Sequence, residues 1–182
     1  VPGMVPFTYS SLGGLWMLTR RQPLSNGAWS FIVIFLLLHV IGAHYTYSKV
    51  PYDRWAEWLF GQSASQAFQF ERNHFDRLVH FSWGLLLLVP MRELVQRWIH
   101  LTGVRSTVIA IAFLATLSAS YEMLEWMITI VMSPDAAEAY NGQQGDLFDA
   151  QKDAGLALVG SLIAALIFTS RNAKTSQPLQ PK

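Results

Sequence analysis

Residues 29–47 contain no Asp, Glu, Lys or Arg and are almost entirely Ile, Val, Leu, Phe and Ala between their aromatic ends. As a helix rising 1.5 Å per residue this stretch is about 28 Å long, close to the thickness of a bilayer's hydrocarbon core. Residues 75–91, 106–132 and 146–169 have the same character, apart from a few ionisable residues near one end of each. A backbone crossing lipid must satisfy its N–H and C=O groups internally, which a helix does residue by residue. The expected fold class is therefore all-α, a polytopic transmembrane helical bundle of four spans.

The remaining segments fit around those spans. Residues 7–18 are apolar but too short to cross and are expected to be interfacial, re-entrant or the remnant of a longer helix. Trp29 at one end of the first span, and Tyr45 and Tyr47 at the other, suit the two membrane–water interfaces. Within the polar loop 48–72, YDRWAEWLF at 52–60 places Trp55, Trp58 and Leu59 at helical spacing, which predicts a short interfacial helix. Pro90 is expected to bend the second span or start its exit, and 92–105 reads as a basic loop. Residues 133–144 read as a turn. One bundle is expected over 1–170, with a polar, disordered cytoplasmic tail over 171–182.

Lys and Arg set the orientation. Arg20, Arg21, Arg92, Arg97, Arg105, Arg171, Lys174 and Lys182 fall on one side of a four-span arrangement, whereas Lys49, Arg54 and Arg72 fall on the other. The first side should be cytoplasmic, with both termini inside and loops 48–72 and 133–145 outside. The formal net charge of +1 gives no electrostatic case for nucleic acid. With no cysteine in the chain, disulfides, thiolate metal sites and cysteine nucleophiles are excluded. There is no GxSxG elbow, P-loop or HExxH, and Ser82 and Ser118 have no spacing that argues for nucleophilic catalysis.

The chemistry of the chain is concentrated in the outer third of the bilayer. The motif GDLFDAQKD at 145–153 runs straight into an uncharged apolar segment. As a helix it would align Asp146, Asp149 and Asp153 on one face, continued by the small residues Ala157, Gly160 and Ala164. Asp76 and His80 start the second span at i, i+4. Glu122 and Glu125 lie near the outer end of the third, in one stripe with Ser118 and Thr129. His44 closes the first span, and His39 lies about a turn deeper. A charge facing lipid would cost ~2.5 kcal/mol or more, so these groups are expected to face inward and meet.

Carboxylates with imidazole suit one divalent metal ion: zinc, manganese, iron or magnesium. Asp76, His80, Glu122, Asp149, Asp153 and His44 are the candidate ligands. Glu125 and Asp146 are the candidates for catalytic proton transfer. Arg72, Arg77 and Lys152 could steady a phosphate or balance charge. The bland alternatives are an ordinary hydrogen-bonded Asp76–His80 pair, a helix-contact His39, an Asp146 that serves the helix dipole, and a Glu122–Trp126 stripe packed on Arg77.

The runs IGAHYTYSKVP (41–51), RNHFDRLVHF (72–81), SASYEMLEW (118–126) and GQQGDLFDAQKDAGLALVGSLIA (142–164) resemble the YjdF-like family of uncharacterised bacterial inner-membrane proteins. The resemblance covers about residues 19–168. More distantly, the order DxxxHF, YExxE, GDxxD is similar to VanZ-like membrane proteins, associated with glycopeptide resistance. The resemblance implies a bacterial, multi-span inner-membrane protein, with more apolar sequence before the Arg20–Arg21 turn than this chain carries. It brings Asn73, His74, Asp76, Arg77, His80, Glu122, Glu125, Gly145, Asp146, Asp149 and Asp153 forward as family positions. It implies no reaction.

Two functions compete. In the first the chain is a metal-assisted hydrolase or transferase acting outward on a lipid or lipid-linked envelope substrate. In the second it is an accessory or assembly subunit, paired with another membrane protein or with itself, and the polar cluster is internal glue. A transporter fits less well, because no span is broken apart from Pro90 and no acidic path leads inward.

Overall fold

The computed structural model describes residues 24–132 and 143–175, with side chains described through residue 168. The apolar segment 7–18, the Arg20–Arg21 turn, most of the 133–144 turn and the end of the tail lie outside the described residues. Among the described residues, four helices are long and apolar enough to cross a membrane. They are α1 (Asn26–His44), α4 (Phe75–Leu94), α5 (Gly103–Val131) and α6 (Asp149–Thr175). Two short helices, α2 (Tyr52–Phe60) and α3 (Ala64–Phe68), fill the loop between α1 and α4. Among the described residues there is no strand, as expected for an all-α membrane bundle.

Both ends of α1 have local causes. Ser25 caps α1 by accepting the Ala28 N–H, and both its N–H and its hydroxyl bond Glu93 of α4, which also pairs with Arg97. The first span ends at His44, earlier than the run of apolar residues suggests. Thr46 and Tyr47 take left-handed backbone angles, so the Tyr47 ring folds back over Gly42, where any Cβ would collide with it. The Tyr47 hydroxyl lies 2.8 Å from His39 Nδ1, which gives that intramembrane histidine its partner.

The expectation for residues 92–105 needs correcting. Pro90 is buried within α4, the helix continues to Leu94, and a π-helical turn, Val95–Ile99, follows. Proline is tolerated here because packed neighbours can shield the carbonyl it frees. Arg92, expected in a loop, lies over the Phe168 ring of α6 at 4.1 Å.

The hub is α4, which contacts α1, α5 and α6. Its closest neighbour is α6, and small residues set that distance. A Cβ at Gly160 would strike the Phe81 carbonyl, and one at Gly84 the Ala157 carbonyl. The small face read from Ala157, Gly160 and Ala164 is thus the packing seam, with Ala157 and Ala164 buried in it. Trp83 ties three helices together: its indole N–H donates to the Leu114 carbonyl at 3.1 Å, and its ring meets Phe35 edge-on at 5.4 Å.

Polarity is distributed as lipid demands. Asp76, His80, Ser82, Ser118, Asp149, Asp153 and Ser161 are buried, while Leu37, Phe113, Leu117, Ile163 and Leu166 are exposed. That is the inverse of a water-soluble domain and the normal state of a bundle whose solvent is hydrocarbon.

Candidate functional site

Two polar layers stack at one end of the bundle. The inner layer is built by three helices. Asp76 and His80 come from the first two turns of α4, Asp153 from the first turns of α6, and Glu122 from α5. Ligand atoms of Asp76, His80 and Asp153 lie within 4.8 Å of one another, and all three residues are buried. His80 Nε2 is 3.8 Å from Asp76 Oδ1 and 3.3 Å from Glu122 Oε1.

Asp153 is 1% exposed, and its Oδ1 has no hydrogen-bond partner. Glu122 Oε1 is likewise buried, and its approach to His80 is out of line for a hydrogen bond. A buried carboxylate oxygen without a donor is costly and calls for a proton or a cation. Donor atoms around a shared ion at about 2.0–2.2 Å sit at most about 4.4 Å apart, so small rotamer shifts would bring these three onto one ion. Two carboxylates and an imidazole, with Glu122 beside them, form a donor set suited to a hard or borderline divalent cation.

The outer layer is an arginine–carboxylate knot. Arg72 Nη1 lies 2.8 Å from Asp149 Oδ1 and 3.5 Å from Asp146 Oδ2. Arg77 Nη2 lies 2.5 Å from Asp146 Oδ2 and 3.4 Å from Asp149 Oδ1. Lys152 Nζ also reaches Asp146 Oδ2, at 2.5 Å. Asp146 is not on the helix, as its spacing suggested. It stands in the turn before α6, where its Oδ1 accepts the Phe148 N–H. The Lys152 ammonium, the Phe148 N–H and the Arg77 guanidinium hold its carboxyl down to about 2. It serves as a counter-ion to Arg72, Arg77 and Lys152.

His74 completes this edge. Its N–H donates to the Tyr52 hydroxyl, and its ring packs on Phe70 at 4.4 Å. Burial, then Arg77 and Arg72, push its imidazole below the usual histidine range.

Over residues 4–174 the sequence matches the family described as "Predicted membrane protein (DUF2238)". The chain belongs to this family. It is 34% identical over 154 residues to the inner membrane protein YjdF of Escherichia coli (strain K12), a match spanning 84% of this chain and 68% of that protein. No solved structure matches. All four spans and both polar layers of this DUF2238 protein fall inside the matched region.

The other expected residues are placed as follows. Asp149 is buried at the junction of the layers and is taken by the arginines. Glu125 is half-buried and lines a cavity of about 280 Å³ together with Glu122, Asp149, Trp126 and Leu147. His44 is exposed at the end of α1 with its ring against Tyr45, so the bundle does not bring it to the inner layer. Glu122, a candidate ligand, approaches His80 through Oε1.

One residue escaped the reading of the sequence. Gln144 accepts the Asn73 N–H through Oε1 at 2.9 Å and donates from Nε2 to the Asn73 carbonyl at 3.0 Å. This pair pins the turn before α6 to the residue before α4. The signal was in the GQQG run, where Gln144 and Gly145 both take positive φ.

Proposed function

We propose that this integral membrane protein is a metal-assisted hydrolase or transferase acting on a lipid or lipid-linked envelope substrate. The observation that carries the reading is the unpartnered Asp153 oxygen, fully buried beside Asp76 and His80. A divalent cation held there by Asp76, His80 and Asp153, with Glu122 adjoining, would supply Lewis-acid polarisation of an ester or phosphoryl oxygen. Glu125, on the wall of the adjoining cavity, would take the proton of an attacking water or alcohol. Asp149 orients Arg72 and Arg77 at the rim. The bias of Lys and Arg to the opposite side supports an outward-facing site and cytoplasmic termini.

The test is turnover of radiolabelled envelope lipids by protein reconstituted in vesicles, with and without added divalent metal. Metal-dependent product that vanishes in Asp153→Asn supports the reading. Absence of product across the metals and lipids tried, from a protein that retains metal, would count against an enzyme. It would leave the accessory-subunit reading, in which the same cluster joins helices.

A further inference from the structure

We propose that Arg92 binds the phosphate of an anionic phospholipid at the end of the bundle away from Asp76, where α4, α5 and α6 meet. The site is independent of the metal reading, and its ligand is a lipid of the surrounding bilayer rather than a substrate.

Arg92 is a guanidinium without an anion. Its Cζ stands over the Phe168 ring of α6, 4.1 Å from the ring centre. A ring face attracts the charge but offers no oxygen to the five N–H donors. Its Nε is buried and has no hydrogen-bond partner, and among the described residues no carboxylate pairs with the group. Glu93, the next residue, is already filled. Its two oxygens take the Ser25 N–H at 2.8 Å, the Ser25 hydroxyl at 2.5 Å and Arg97 Nη2 at 3.0 Å. A part-buried donor set of this kind calls for oxygens from outside the chain, and guanidinium matches those of a phosphate.

The surroundings are basic. Gln96 Nε2 reaches Ser106 Oγ at 3.4 Å, which sets the first turn of α5 beside the π-helical turn that ends α4. That first turn carries Arg105 and no acid. The helix α6 runs on to Thr175, so Arg171 and Lys174 stand in its last turns. Glu93 is the single carboxylate among the described residues at this end. Basic pockets between spans, and Lys and Arg clustered just beyond them, are the settings in which anionic headgroups are held.

The level selects a lipid over a soluble phosphate. From Phe75 to Arg92 the axis of α4 rises about 26 Å, close to the ~30 Å of a hydrocarbon core. The guanidinium thus stands where the headgroup phosphates of the far leaflet begin. A free phosphate would give up its hydration to sit beside Phe168, whereas a lipid phosphate already resides at that depth. By the bias of Lys and Arg this is the cytoplasmic leaflet. The bound lipid would brace the junction of α4, α5 and α6 at the end that the two polar layers do not reach.

The experiment is native mass spectrometry of the full chain released from detergent with dioleoylphosphatidylglycerol or dioleoylphosphatidylcholine, which share a phosphate and differ in net charge. Phosphatidylglycerol should be retained at least about fivefold better, the increment of one cation at an anionic surface. Arg92→Gln should lose most of that preference, and Arg54→Gln, on the exposed side of α2, should keep it. Equal retention of the two lipids by the wild type, or an undiminished preference in Arg92→Gln, would overturn the proposal. An equal loss in Arg54→Gln would also overturn it, by reducing the site to general surface charge. Excess glycerol 3-phosphate should leave the lipid in place, and its displacement would overturn the lipid origin. If Arg92→Gln does not fold, a photoactivatable phosphatidylglycerol crosslinked to the wild type decides instead. Label within 88–106 and 164–168 supports the site, and label confined elsewhere overturns it.

Discussion

Asp76 and Arg77 are neighbours in the chain, yet they serve different layers of the site. Asp76 turns into the bundle beside His80 and Asp153, while the Arg77 Nη2 reaches 2.5 Å from Asp146 Oδ2 at the rim. Successive residues of a helix point about 100° apart, so one turn of α4 supplies both a buried acid and a surface cation. The N-terminal turn of α6 answers it, with Asp153 inward and Asp149 toward the arginines.

This pairing predicts a pH dependence. Asp146 is held at about 2 in the folded protein against an ordinary value of 3.8. A depressed carboxyl stabilises the fold above its unfolded value and loses that contribution as pH falls through its folded value. The Asp146 contribution should therefore be full above pH ~4 and fade toward pH ~2. Asp146→Asn should show a smaller drop in thermal stability over that window in detergent. An identical acid profile in the variant would contradict the geometry.

The α4–α6 seam predicts a contrast between two glycines of one helix. A methyl group at Gly160 meets the Phe81 carbonyl, whereas one at Gly155 meets nothing within 4 Å. Gly160→Ala should destabilise by about 1–3 kcal/mol through overpacking. Gly155→Ala should be neutral or stabilising by up to about 1 kcal/mol through helix propensity. Thermal unfolding of the two variants in one detergent compares them directly.

Gln144→Ala removes both bonds that join the turn before α6 to Asn73. A loss of about 1–2 kcal/mol is expected, the usual cost of stranding a part-buried donor and acceptor. Faster amide exchange should appear at 143–148 and spare the middle of α4. Uniform destabilisation of the whole bundle would contradict a local role.

Much of this was legible in the sequence, for physical reasons. The spans follow from length and the absence of charge, and the cluster follows because charge inside lipid must face inward. The small face of α6 was visible because Ala157, Gly160 and Ala164 share helical spacing. What the sequence concealed depends on local backbone geometry. Asp146 reads as helical by spacing, but the left-handed Gln144 and Gly145 keep it in a turn. His44 ends α1 exposed, and just beyond it the chain folds back at Thr46 and Tyr47, which brings Tyr47 to His39. Arg92 to Ile99 looked like a loop by charge, although Arg92 lies on the Phe168 ring.

The central claim is that Asp76, His80 and Asp153 hold a divalent cation. Its most direct test is elemental analysis of protein purified in mild detergent, wild type beside His80→Ala and Asp153→Asn. About one equivalent of a divalent metal in the wild type, with little in either variant, is the predicted result. A folded wild type that stays metal-free after incubation with zinc, manganese, iron and magnesium would contradict it.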